Sequence, residues 1–358
     1  MSTRSRIAVF ALMVSSLGIT AASSAGSYTV NGPFPIAAFP GAQRIPAACG
    51  SVVVWEDNRP GQTCIKGWNM TANEEVLLPN NGPQTCPAIC GNVVVWEDSR
   101  SGNPDIYGYD RATGHEFPIA CTSSAEQSPS IWGDWVVWQQ SGAHDADICA
   151  YNLVTKESLT VCSHSGDQMS PKIWDDWIVW QDLRTGAVDL YGFNLSTRQE
   201  TPLVTGPGER GAHAINNGVL AWETIDEMGE SDIAAMSLVG GVPWQVCMDP
   251  GYQYIPAISD NLIVWGDWRD GIVGIRAYDI GTGESFWVLS PEAERSTILS
   301  LAINGNLVVW EDATDWNSDI YGAYVSDTVP EPSSLTALWL GVLGLSAAKR
   351  LRSRGRRA

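Results

Sequence analysis

A tryptophan closes a short apolar run seven times along this chain, at Trp55, Trp96, Trp138, Trp180, Trp222, Trp265 and Trp310. The steps between them are 41, 42, 42, 42, 43 and 45 residues. A fixed period of this size marks a repeat architecture. The runs, such as Val93-Val94-Val95-Trp96 and Leu307-Val308-Val309-Trp310, are continuous and β-branched. That pattern suits a strand buried on both faces. A short segment such as Pro87-Ala88-Ile89 precedes each run, joined to it by a two-residue turn such as Gly91-Asn92 or Asn217-Gly218. A polar loop follows, then a third strand (Asp105 to Tyr109), a turn at Ala112-Thr113-Gly114 and a fourth strand (Glu116 to Ile119). Four short antiparallel strands per repeat make one blade of a β-propeller. The expected fold is therefore all-β, a seven-bladed propeller spanning residues 26–328.

Closure of the ring is legible too. The seventh repeat stops after its third strand, near Asp327. A spare strand lies in front of the first repeat, where Pro33-Phe34-Pro35-Ile36-Ala37-Ala38 matches Glu116-Phe117-Pro118-Ile119-Ala120-Cys121. Placing it beside Ile320 to Tyr324 pairs an otherwise open edge.

The repeat pattern Val-Val-Trp-Glu-Asp-x-Arg-x-Gly-x-x-Asp-Ile-Tyr-x-Tyr-Asp is best kept between Val94 and Asp110. It resembles the TolB-like propeller repeats of bacterial and archaeal surface proteins. That resemblance implies the fold; such propellers serve as docking surfaces, sugar binders and in some cases enzymes. Repeats three, five and seven depart from it, with Gln139-Gln140, with Glu223-Thr224 opening a longer loop, and with Asp315-Trp316 in place of the loop arginine.

Both ends read as addresses. Residues 1–25 have a basic start (Arg4, Arg6), an apolar stretch from Ile7 to Thr20 and small residues at Ser23-Ser24-Ala25, as in a secretory signal peptide. Residues 329–358 carry Pro330-Glu331-Pro332, fourteen mainly apolar residues from Leu335 to Ala348, and a basic end. This order resembles the PEP-CTERM sorting tail. The resemblance implies transient membrane insertion of the tail and cleavage by an exosortase-type protease. It also implies a final location at the surface of, or outside, an exopolysaccharide-producing Gram-negative cell.

The chain carries 40 Asp and Glu against 21 Lys and Arg, and eight of those basic residues lie at its two ends. A body this acidic repels phosphate backbones and excludes nucleic acid as a partner.

Chemistry-bearing residues are scattered. The Asp-x-Arg loops (Asp57/Arg59, Asp98/Arg100, Asp182/Arg184, Asp267/Arg269) recur in four blades, which argues that they hold turns in place. Their second reading is an acidic loop face able to take Ca²⁺ through oxygen ligands, although no dedicated calcium loop is present. His144, His164 and His213 fall on the face of the interblade connections and form a candidate metal set. Trp132 and Trp174 occupy matching sites, as do Trp135 and Trp177, and read as contacts between blades. Trp268 and Trp316, beside Asp267 and Asp315, are candidate ligand-binding residues. A Cys149–Cys162 disulfide is expected across the hairpin of blade three, whereas Cys49 and Cys90, at equal sites on adjacent blades, are expected to stay apart.

No nucleophile motif or nucleotide loop appears. The expectation is therefore a non-enzymatic, exported module that binds surface proteins or exopolysaccharide, with no resident cofactor. The alternatives are a metal-assisted polysaccharide lyase or a periplasmic docking factor.

Overall fold

A computed structural model describes residues 28–327, apart from 60–61, 143, 293–296 and 315–316. The described residues form seven four-stranded antiparallel sheets and no helix. Each sheet is one blade. In blades 1 to 6 the strands run in chain order from the inner edge outwards. The inner strands are Ala42–Cys49, Gln84–Cys90, Ala125–Trp132, Gln168–Trp174, Glu209–Asn216, Tyr252–Ser259 and Ile298–Asn304. They contact one another in sequence round the ring, and Ile298–Asn304 meets Ala42–Cys49 to complete the circle.

The seventh blade is closed from the front of the chain. Tyr28–Ala37 pairs antiparallel with Asn317–Asp327, with Phe34 opposite Gly322, Pro35 opposite Tyr321 and Ala37 opposite Ile320. The pairing runs further than the sequence implied, to Tyr28 opposite Asp327. In blade 1 the outer strand is shorter than expected, only Glu74–Glu75.

The tryptophan-ending run is the second strand of each blade. Alternate residues along it point to opposite neighbours. Val54 packs with Trp96 of blade 2, while Val53 and Trp55 pack with Leu307 and Val309 of blade 7. Both faces are therefore covered, and Val53, Val54, Val94 and Val95 are fully buried. The core is thus seven apolar layers between blades, one at each junction.

Each inner strand is interrupted by a bulge, and at five of them a non-glycine residue adopts positive φ: Ile45, Cys86, Ser128, Ser170 and Ile255. The bulge frees a backbone N–H. The residue after the repeat tryptophan in the preceding blade receives it: Ser128 N donates to Glu97 Oε1 at 2.7 Å and Ile45 N donates to Glu311 Oε2 at 3.2 Å. This is why Glu or Gln follows most of the repeat tryptophans, and it staples neighbouring blades.

Candidate metal centre

The Asp-x-Arg loops are built from the repeat motif. In blade 4 the Trp180 indole N–H donates to Asp182 Oδ2 at 2.9 Å, and the Arg184 guanidinium clasps the same carboxylate at 2.9 and 2.6 Å. Blade 2 repeats this with Trp96, Asp98 and Arg100. Burial pushes both carboxyls up, but the arginine and indole hydrogen bonds outweigh it and hold them below the ordinary aspartate range. Arg59 and Arg269 also pair with Asp57 and Asp267, there without the indole hydrogen bond. With each buried carboxylate held by its own arginine, these four aspartates are architectural, and the Ca²⁺ reading of the loop face gains no support from them.

Arg184 reaches beyond Asp182. Its Nη1 donates to Glu200 Oε1 at 2.6 Å and its Nη2 lies 3.1 Å from Cys162 Sγ. The guanidinium rests over the Tyr191 ring, 4.0 Å from its centroid. His164, two residues past Cys162 in the connection from blade 3, brings Nε2 to 3.8 Å from Glu200 Oε1. Cys162, His164 and Glu200 thus converge at the boundary of blades 3 and 4, with ligand atoms all within 4.8 Å of one another. The thiol is buried, the carboxylate is partly covered and the imidazole is exposed, so the cluster opens to solvent on one side.

A tetrahedral zinc site needs ligand atoms roughly 3.5 Å apart, so the cluster would contract by about an ångström on binding. The donor set suits a borderline ion such as Zn²⁺ better than a hard one, because one donor is sulfur. Burial pushes the Cys162 thiol up to about 12, so metal binding would have to displace its proton.

The other expected residues lie elsewhere. His213 is buried and its Nε2 sits 3.3 Å from the Val179 carbonyl, a core contact between blades. Burial holds its imidazole down to about 3, so it stays neutral. His144 is exposed in the loop after Trp138. Among the described residues, neither joins a metal-ligand group. Trp268 is partly exposed and packs against Tyr252 at a tilt of 45°, with ring centroids 5.1 Å apart. Its neighbour Asp267 is fully buried against Arg269, which removes it as a ligand contact. Asp315 and Trp316 lie outside the described residues, as do Pro330, Glu331 and Pro332.

Two cysteine expectations are corrected. Cys149 and Cys162 are separate thiols. A bulge puts Cys149 opposite Thr160 and Cys162 opposite Ile148. Cys149 then packs with Trp138, and Cys162 packs with Trp180 at the next junction. Cys49 and Cys90, by contrast, adjoin: Cys49 Sγ accepts from the N–H of Gly91, the residue after Cys90, at 3.1 Å.

No family model matches the chain, and no curated protein matches it significantly. Its fold is shared with solved propellers. An oligogalacturonate lyase in complex with manganese aligns over 85% of this chain and 99% of its own, at 10% identity and a TM-score of 0.63. The β-propeller domain of a protease from Pyrococcus furiosus, described as having an open velcro topology, aligns over 84% and 98%, at 12% identity and a TM-score of 0.62. TolB from Acinetobacter baumannii aligns over 64% of this chain, which spans 60% of that protein, at 13% identity and a TM-score of 0.49. The first two likenesses show the propeller fold alone. The expectation of a module without catalytic capability is corrected: the chain carries a Cys162–His164–Glu200 ligand cluster, on a fold that also serves a manganese-containing lyase.

Proposed function

We propose that this propeller is a metal-assisted polysaccharide lyase acting on uronic-acid polymers at the boundary of blades 3 and 4. The observation that carries the reading is the convergence of Cys162, His164 and Glu200 beside Arg184. Those three side chains hold the ion. When bound, it withdraws charge from a substrate carboxylate and so acidifies the adjacent C–H bond. Arg184 supplies the second carboxylate contact. With Glu200 serving as a metal ligand, the Nη1 that it now holds becomes available to substrate. Asp182 and the Tyr191 ring fix the guanidinium in that position. β-Elimination then passes the proton next to the carboxylate to a solvent water, breaks the glycosidic C–O bond on the neighbouring carbon, gives the leaving oxygen a proton from solvent and leaves an unsaturated uronate.

The test is to strip the purified protein of metal, reload it with Zn²⁺ or Mn²⁺, and offer it polygalacturonate, alginate and glucuronan. Metal-dependent ultraviolet absorbance from unsaturated product, lost in Glu200→Gln, is expected. A loaded protein that yields no such product from any of these polymers contradicts the reading.

The two chain ends support an extracellular setting for this activity, next to exopolysaccharide. Residues 1–25 are proposed to be removed on export, and the tail to be cut between Pro330 and Ser334 by an exosortase-type protease. Intact mass of the protein recovered from its native cell surface checks both; chains that still carry Arg356 and Arg357 contradict the second.

A further inference from the structure

Each inner strand ends at the same mouth of the ring, next to the turn of the following blade. At four junctions the turn N–H is received by a side chain of the preceding blade. Gly50 N donates to Asn304 Oδ1 at 2.7 Å, Asp260 N to Asn216 Oδ1 at 3.0 Å, Gly305 N to Ser259 Oγ at 2.9 Å and Gly91 N to Cys49 Sγ at 3.1 Å. Cys90 holds the equivalent place in blade 2, ahead of the Gly133-Asp134 turn of blade 3. Trp132 and Trp174 hold the equivalent places in blades 3 and 4 and pack against each other at a tilt of 45°, with ring centroids 5.7 Å apart. Sulfur has thus replaced oxygen at two successive positions of one ring. Those positions adjoin: Cys49 Sγ lies 3.1 Å from the N–H of Gly91, the residue after Cys90, and both cysteines are partly exposed.

We propose that Cys49 and Cys90 are a redox-active dithiol that closes to an interblade disulfide at the mouth of the ring. Closeness of the two residues, which the Gly91–Cys49 bond fixes, is the precondition for bridging. The pair is also asymmetric. The neighbouring Cys90 thiol and the Gly91 N–H, 3.1 Å from Cys49 Sγ, lower the Cys49 thiol to about 6, while Cys90 is raised. Cys49 is therefore the attacking thiolate and Cys90 the resolving thiol. The remaining six cysteines are pushed the other way, mainly by burial: Cys64, Cys86, Cys121, Cys149, Cys162 and Cys247. Selectivity follows from that difference.

The oxidant is a small-molecule disulfide such as oxidised glutathione. The Cys49 thiolate attacks one of its sulfurs, forms a mixed disulfide and releases one glutathione thiolate. Cys90 gives its proton to solvent, attacks the Cys49 sulfur and releases the second glutathione thiolate. Two protein thiols are oxidised and one disulfide is reduced to two thiols.

The experiment treats the reduced full chain with oxidised glutathione, blocks free thiols with N-ethylmaleimide and maps the unreduced peptides. A Cys49–Cys90 cross-linked peptide is expected, with the buried cysteines alkylated after unfolding. Cys90→Ser should accumulate glutathione on Cys49, and Cys49→Ser should leave Cys90 unmodified. Alkylation of both residues in the treated wild-type chain, or pairing of either with a different cysteine, overturns the proposal. The wild-type map decides this whether or not the serine variants fold.

Discussion

The boundaries that open blades 2 and 4 share one scaffold and differ in the side chains that the preceding blade brings to it. At both, a buried aspartate (Asp98 or Asp182) accepts from the repeat tryptophan and from the arginine two residues on. At both, that arginine lies over a tyrosine, Tyr107 or Tyr191, and reaches a glutamate sixteen residues further, Glu116 or Glu200. The preceding blade supplies the difference. Leu78 and Asn80 stand where blade 3 has Cys162 and His164. In blade 2 the glutamate takes a second hydrogen bond from Asn81, and the junction is only a hydrogen-bond network. In blade 4 the same glutamate faces a thiol and an imidazole, and three donors able to bind a metal come together. The common part is what the fold needs; the two exchanged residues are what a site adds to it.

The largest effect expected from this contrast is on metal content. His164→Ala and Glu200→Gln should abolish stoichiometric zinc, whereas Glu116→Gln should leave it unchanged, as read by elemental analysis of gel-filtered protein. A sharper form grafts the site: Leu78→Cys with Asn80→His should raise the content from one zinc per chain towards two. Unchanged stoichiometry in a folded graft would show that the two exchanged residues are not sufficient.

Stability should respond equally at the two boundaries. Asp98→Asn and Asp182→Asn each weaken the hold on a partly buried arginine, and each should cost about 2–3 kcal/mol in urea unfolding. A difference well above the error between the two variants would break the claim that this part is shared scaffold. Because both carboxyls are held below their unfolded range, their contribution is present above the unfolded pKa of about 4. It is lost as pH falls further, through the folded values.

A separate, purely pH-dependent effect concerns blade 5, where His213 stands at the site filled by Pro87, Pro129, Pro171 and Pro256 in other blades. Its imidazole is lowered to about 3, by burial first and then by Lys172. Lys172 projects from the inner strand of blade 4, accessible to solvent yet enclosed enough that desolvation lowers its own ammonium. The unfolded imidazole takes up a proton near pH 6.5 and the folded one does not. The stability present at neutral pH is therefore lost as pH falls from about 6.5 towards 3, at about 1.4 kcal/mol per pH unit. His213→Gln should flatten that part of the unfolding profile, measured by urea titration at stepped pH.

What the sequence made legible follows from repetition. Seven copies of one pattern determine a blade, and one missing and one spare strand determine how the ring closes. The site was only half legible, for the same reason. Cys162 and His164 stand out because they break the pattern, but Glu200 matches Glu116 and reads as an ordinary strand residue until Arg184 is seen to hold it. The bulge between Ile148 and Cys149 was not legible at all, and one inserted residue sends Cys149 and Cys162 to different junctions. The closeness of Cys49 and Cys90 escaped because the distance between equal positions on neighbouring inner strands is a property of the ring and not of any one repeat.

Anomalous diffraction at the zinc edge, from crystals of the chain equilibrated with Zn²⁺, addresses the candidate centre directly. One strong peak bonded to Cys162 Sγ, His164 Nε2 and a Glu200 carboxylate oxygen, with Arg184 Nη1 released from Glu200, is the expected result. Density with no peak at this boundary, and Arg184 still bridging Asp182 and Glu200, would contradict it.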